Sequence, residues 1–117
     1  MDWIQLTNEA QLQEIKQMSY NTPVVLFKHS TTCSISAMAK SRLDRATAIE
    51  NVPFYYIDLL RFRPLSNAIA ELFGVRHESP QILLIKNGEC IYDDSHNGIN
   101  MEDIGEEVKA CLKASKQ

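Results

Sequence analysis

A chain of 117 residues, 44% hydrophobic and 23% charged, is large enough for one domain with a real core and too short for two. That composition excludes a disordered chain, and a net charge of −3 with scattered Lys and Arg offers no basic patch for nucleic acid or an anionic membrane. No apolar run approaches the roughly 18 residues of a membrane span, and Met1-Asp2-Trp3-Ile4-Gln5 lacks the basic start and apolar centre of a secretory signal, so a cytoplasmic protein is expected.

Trp3-Ile4-Gln5-Leu6 reads as a short strand. Thr7 and Asn8 can cap a following helix, with Gln11 placed three residues after Asn8 as in a capping box. This helix runs to about Ser19 with Leu12, Ile15 and Met18 on one face, and Asn21-Thr22-Pro23 turns the chain. Residues 24–29 form the next strand. Its four consecutive apolar residues, Val24 to Phe27, predict burial on both faces, as in a central or parallel strand.

A second helix is predicted over about 34–48, with Ile35, Met38, Ala39, Arg42, Leu43 and Ala46 as its inner stripe. Asn51-Val52-Pro53 ends it. Phe54 to Leu60 is rich in aromatic and branched residues and reads as a strand. Strand, helix and strand over 24–60 make a right-handed βαβ unit. Pro64 suits the first position of a third helix, whose stripe is Leu65, Ile69, Leu72 and Phe73 and whose end is Gly74.

Gln81 to Lys86 is a further strand. Asn87-Gly88 is the favoured two-residue hairpin turn, so Glu89 to Asp93 returns antiparallel, with charges that suit a sheet edge. Asn97-Gly98 predicts another turn. Asn100 can cap a last helix, with Ile104, Val108, Cys111 and Leu112 facing inward. The order β-α-β-α-β-α-β-β-α predicts an α/β protein with a central mixed sheet of four to five strands flanked by helices, as one domain over 1–117. This is the layout of the thioredoxin fold.

The chemistry centres on Cys33. It stands where the strand at 24–29 gives way to a helix, among the polar residues Thr32, Ser34 and Ser36. The first turn of a helix carries unpaired N–H groups and the positive end of the macrodipole. Both favour a thiolate, the reactive form of cysteine. Cys90 and Cys111 are far away in sequence, and an odd number of distant cysteines is not a secreted disulfide framework. With no C-x-x-C pair, and no ligand spacing to His29, His77 or His96, no metal site is expected.

Three blocks resemble the monothiol bacilliredoxins, thioredoxin-like proteins of the bacillithiol system in bacteria. They are Lys28-His29-Ser30-Thr31-Thr32-Cys33-Ser34-Ile35-Ser36, then Arg63-Pro64-Leu65-Ser66-Asn67 with Ile69-Ala70-Glu71, then Gly74 to Gln81 around Ser79-Pro80. The resemblance implies a thiol-disulfide oxidoreductase that attacks, through Cys33, mixed disulfides between proteins and a low-molecular-weight thiol. That thiol is the co-substrate, and no bound cofactor is implied. The resemblance also implies a cis bond before Pro80, beside which the Ser79 backbone can pair with an extended substrate. The chain departs from the usual Thr-Cys-Pro-Ile-Ser motif by having Ser34 in place of proline, which keeps one more N–H donor in the first helical turn.

Ser36 stands where a dithiol enzyme has its second cysteine, so no internal C-x-x-C disulfide can form, and a second small thiol or a reductase must regenerate Cys33. The serine itself either donates a hydrogen bond to the Cys33 thiolate or is a simple first-turn residue. Arg63, or Arg76, could bind a carboxylate of the small thiol. His77 could approach from the Pro80 side, and His29 could act as base or counter-charge. Thr32 and Ser34 border the nucleophile. Two other readings remain open on the residues alone: a non-catalytic peptide-binding module, and a monothiol iron–sulfur carrier.

Overall fold

Strand β2 (Val24–His29) is buried at all six positions, and the other elements are laid around it. The computed structural model describes residues 1–115. Along the chain these contain β1 (Trp3–Gln5), α1 (Glu9–Met18), β2, α2 (Ser34–Arg45), β3 (Phe54–Asp58) and α3 (Arg63–Phe73). After these come β4 (Gln81–Lys86), β5 (Glu89–Ser95), a 3-10 turn at His96–Gly98 and α4 (Met101–Ser115). The five strands form one sheet in the order β1-β3-β2-β4-β5. β1, β3 and β2 run parallel, and β4 and β5 are antiparallel additions. The mixed sheet flanked by helices is therefore as the sequence predicts.

Because side chains alternate along a strand, β2 feeds two cores. Val24 and Leu26 join Leu12 and Ile15 of α1 and Leu65 and Ile69 of α3 on one face. Val25 and Phe27 join Ala39 and Leu43 of α2 and Ile104 and Val108 of α4 on the other. The same alternation sends Lys28 toward α3 and His29 toward α2, which governs the site described below.

The predicted end signals act as such. Asn8 and Gln11 form a reciprocal capping box on α1. Gly74 ends α3 in the left-handed conformation at φ 63°. Asn87 and Gly88, at φ 55° and 76°, make the hairpin turn that requires positive φ at both positions. Asn100 accepts from the Asp103 N–H at 2.8 Å at the start of α4. The Ser79–Pro80 peptide bond is cis.

Several expectations are corrected. α2 stops at Arg45 rather than near 48, and β3 at Asp58 rather than Leu60. α3 starts at Arg63, so Pro64 takes its second position. Asn97 and Gly98 do turn the chain as predicted, within the 3-10 element His96–Gly98. The inner stripe of α2 is Ser36, Ala39 and Leu43, while Ile35 and Met38 are 43% and 60% exposed. The helix is rotated because the sheet offers it a polar partner, His29, which draws Ser36 inward. On α4, Leu112 faces outward, leaving Ile104 and Val108 as the buried residues.

Candidate active site

Cys33 is the N-cap residue of α2, with extended backbone (φ −100°, ψ 121°), and its side chain caps nothing. Its N–H donates to the Ser30 carbonyl at 3.2 Å, and its own carbonyl accepts the first helical bond, from Ala37 N–H at 3.0 Å. The amides of Ser34, Ile35 and Ser36 thus lie in the first turn, ahead of any intrahelical acceptor. An N-cap side chain normally accepts from the N2 or N3 amide. The Cys33 side chain stands at the residue position from which an N-cap oxygen usually accepts such a bond. Thr32 and Ser34 on either side are exposed, and Cys33 is half-buried.

Ser36, at N3, is fully buried. Its Oγ accepts from the Ser30 N–H at 2.9 Å and lies 2.7 Å from His29 Nδ1. The hydrogen bond from Ser36 to Cys33 weighed from the sequence is replaced by these two contacts. They pin the helix start to the end of β2. His29 is buried, stacked on Phe27 at 5.6 Å between ring centroids, with Tyr56 edge-on at 6.5 Å. Burial, then the Lys40 charge, lowers its pKa; Asp58 and Asp44 act against this. Nδ1 is the ring atom that meets the Ser36 hydroxyl.

A second network lies on the other face of β2. Lys28 is completely buried, its Nζ 3.4 Å from the Ser66 carbonyl and 3.2 Å from His77 Nδ1. Burial lowers its pKa to about 8, so it still carries a proton at neutral pH. His77 is lowered as well, by burial of its inner edge and then by Lys28 and Arg63, with Glu78 opposing. The Ser66 hydroxyl also reaches Nδ1, at 3.3 Å. This cluster ties β2 and α3 to the loop that leads to Pro80. Gln81 holds the same loop, donating from Nε2 to the Arg76 carbonyl at 2.9 Å.

Of the residues predicted for the site, Cys33, Ser36, Thr32 and Ser34 share one turn, and Ser79 and Pro80 precede β4, whose first residue pairs with Lys28. Arg63, at the start of α3, and His77 are exposed on the α3 side. Lys28 and Ser66 are residues of this network to which the sequence reading assigns no role. The signal was present: a strand buried on both faces over 24–29 must bury Lys28, and a buried lysine needs partners. Among the described residues no three His, Cys, Asp or Glu side chains gather as a metal site. No described helix is long and apolar enough to cross a membrane.

Fold and site together define a thioredoxin-fold protein with one cysteine at the start of the helix that follows its central strand. The comparisons agree with this class. The family described as "Monothiol bacilliredoxin BrxC" matches residues 4–104. A solved structure described as that of a candidate oxidoreductase with a thioredoxin fold is 32% identical, with a TM-score of 0.78 over 89% of this chain and 91% of the other. Thioredoxins from Halobacterium salinarum (an N21Q mutant) and Trypanosoma brucei brucei share the fold at 18% and 12% identity. Their TM-scores are 0.69 and 0.75, over 93% and 96% of this chain and 89% and 92% of theirs. The chain belongs to the monothiol bacilliredoxin family.

Proposed function

We propose that the protein removes a low-molecular-weight thiol of the bacillithiol type from cysteines of other proteins. The observation that carries this is the pairing of Cys33 at N-cap with a buried, hydrogen-bonded serine at N3. The site can take up a thiol group and has no local cysteine with which to expel it.

In the first step the Cys33 thiolate attacks the small-thiol sulfur of a client mixed disulfide. A bond forms between Cys33 and the small thiol, the client–sulfur bond breaks, and the client leaves as a thiolate. In the second step another small thiolate attacks the small-thiol sulfur of the adduct. The symmetrical small-molecule disulfide departs and Cys33 is returned as thiolate. The two electrons that reduce the client come from the two small thiols, whose disulfide a separate reductase must reduce. A reducing cytoplasm suits this cycle.

First-turn amides of α2 stabilise the sulfur anion in both steps. Thr32 and Ser34 border the approach, and the Ser79–Pro80 segment offers backbone to an extended client. Arg63 and His77 are the groups suited to an acidic small thiol. A client protein carrying bacillithiol as a mixed disulfide provides the test. Intact mass should show the client losing the small thiol as the wild-type protein gains it on Cys33. Absence of transfer, with Cys33 still open to alkylation, rejects the reading.

A further inference from the structure

The rotation of α2 that turns Ser36, Ala39 and Leu43 inward leaves a second stripe facing out. Ile35, Met38, Arg42 and Arg45 follow one another at spacings of three, four and three, which places them on one side of a helix. Ile35, Met38 and Arg45 are exposed and Arg42 is half-buried. Met38, Ser41, Arg42 and Arg45 line one cleft of about 300 Å³. Single exposed apolar residues are ordinary on a protein surface. Here two are neighbours, begin two residues after Cys33, and run into a basic cleft.

The basic end carries uncompensated charge. Arg42 donates to the carbonyls of Ile99 and His96, which fixes its guanidinium in place. Asp44, the one carboxylate of α2, is engaged by Lys40 and Trp3. Among the described residues neither arginine has an ion pair.

We propose that this stripe is the surface on which Cys33 receives a client protein. It selects a client segment with an apolar residue near the modified cysteine and carboxylates beyond it. Charge decides the occupant. A second copy, meeting the same stripe, sets arginine against arginine in a parallel pairing and against Ile35 in an antiparallel one, so it supplies no carboxylate. A helix rises about 1.5 Å per residue and an extended chain about 3.3 Å. Met38 therefore lies abreast of about the second client residue from the cysteine, and the arginines abreast of about the fourth to sixth. Methionine adapts to varied apolar side chains, and the guanidinium groups steer carboxylates into register. The inference rests on the proposed function in taking client cysteines as what Cys33 acts on.

Two extended peptides test it, each with a cysteine carrying mercaptoethanol as a mixed disulfide. Leucine stands two residues from the cysteine on either side, and the residues four and six away are aspartate in one peptide and lysine in the other. In single turnover Cys33 takes the mercaptoethanol sulfur and the peptide leaves as thiolate, followed by intact mass. Each rate is divided by that of dithiothreitol on the same peptide, which removes the peptide's own leaving-group effect. The aspartate peptide should react roughly fivefold faster at low salt, against the protein's net charge of −3, and the advantage should fall as salt is added. Arg45→Glu should reverse the order, and Met38→Ser should slow both peptides about threefold. Equal rates, a lysine preference in the wild type, or an order unmoved by Arg45→Glu overturns the proposal. An equal change in iodoacetamide alkylation of Cys33 means that a variant acts on the thiolate instead of on docking, and also overturns it. A dimer in sedimentation that Met38→Ser abolishes assigns the face to a second copy and does the same. No transfer from either peptide, by contrast, strikes the proposed function itself and the docking surface with it.

Discussion

Lys28 shows what a single buried charge does to this molecule. Among the described residues its hydrogen-bond partners are the Ser66 carbonyl and the His77 ring, with no carboxylate among them. Its folded-state pKa of about 8 lies below the ordinary 10.5, so the unfolded chain binds the proton more tightly. Stability from this group is fully present above pH 10.5 and is lost as the pH falls to about 8; within that window stability rises with pH. The full shift corresponds to about 3 kcal/mol. Urea denaturation of wild type and Lys28→Met across this range should show the wild type gaining on the variant as pH rises, by up to that amount. A difference independent of pH contradicts the assignment. Ser36 is the comparable case on the opposite face. Ser36→Ala leaves the Ser30 amide and His29 Nδ1 without their partner and should lower stability by about 1–3 kcal/mol at pH 7, read from the denaturation midpoint.

At the scale of elements, most of the chain declares itself through local chemistry. Asn8 with Gln11, Asn87-Gly88, Gly74 and Asn100 act where the sequence places them, because capping and turn geometry depend on neighbours within a few residues. The rotation of α2 was not legible. Its apolar residues Ile35 and Met38 suggested one face, and the contact that decided otherwise joins Ser36 to His29, on a different element. Long-range anchors reinforce that rotation. Trp3 Nε1 donates to Asp44 at 2.6 Å, Asp44 pairs with Lys40 at 2.9 Å, and Arg42 donates to the carbonyls of Ile99 and His96, each at 3.1 Å. Lys28 with His77 was missed for the same reason, since 49 residues separate the partners. The capping box of α1 is remote from this machinery. Asn8→Ala removes the acceptor of the Gln11 N–H and should cost about 1 kcal/mol. The Cys33 alkylation rate should stay at the wild-type value, so a slowed rate would link α1 to the site.

On the scale of the whole molecule, the question is whether Cys90 or Cys111 can reach Cys33 and turn a monothiol site into a dithiol one. Register answers it for Cys90. It lies opposite Ile85, which lies opposite Val24, so Cys90 belongs to the row at the start of β2. Cys33 follows His29, at the other end. Five strand residues span about 16 Å, whereas bonded cysteines hold their Cα atoms within about 7 Å. Cys90 also packs into the core beside α1 and α3, its Sγ donates to the Tyr92 carbonyl at 3.3 Å, and burial pushes its pKa up to about 11. Cys111 is raised by burial too, and Lys86, the charge that partly offsets this, ends β4 opposite the start of β2. Raised pKa counts against both Cys90 and Cys111 as thiolates, and position counts against Cys90 as a partner for Cys33. Brief iodoacetamide treatment at pH 7 should add one label, and peptide mapping should place it on Cys33. Oxidation with diamide plus a small thiol should add one small thiol to the intact mass. A Cys33–Cys90 or Cys33–Cys111 disulfide in the peptide map would require the sheet to open, and would refute the monothiol cycle.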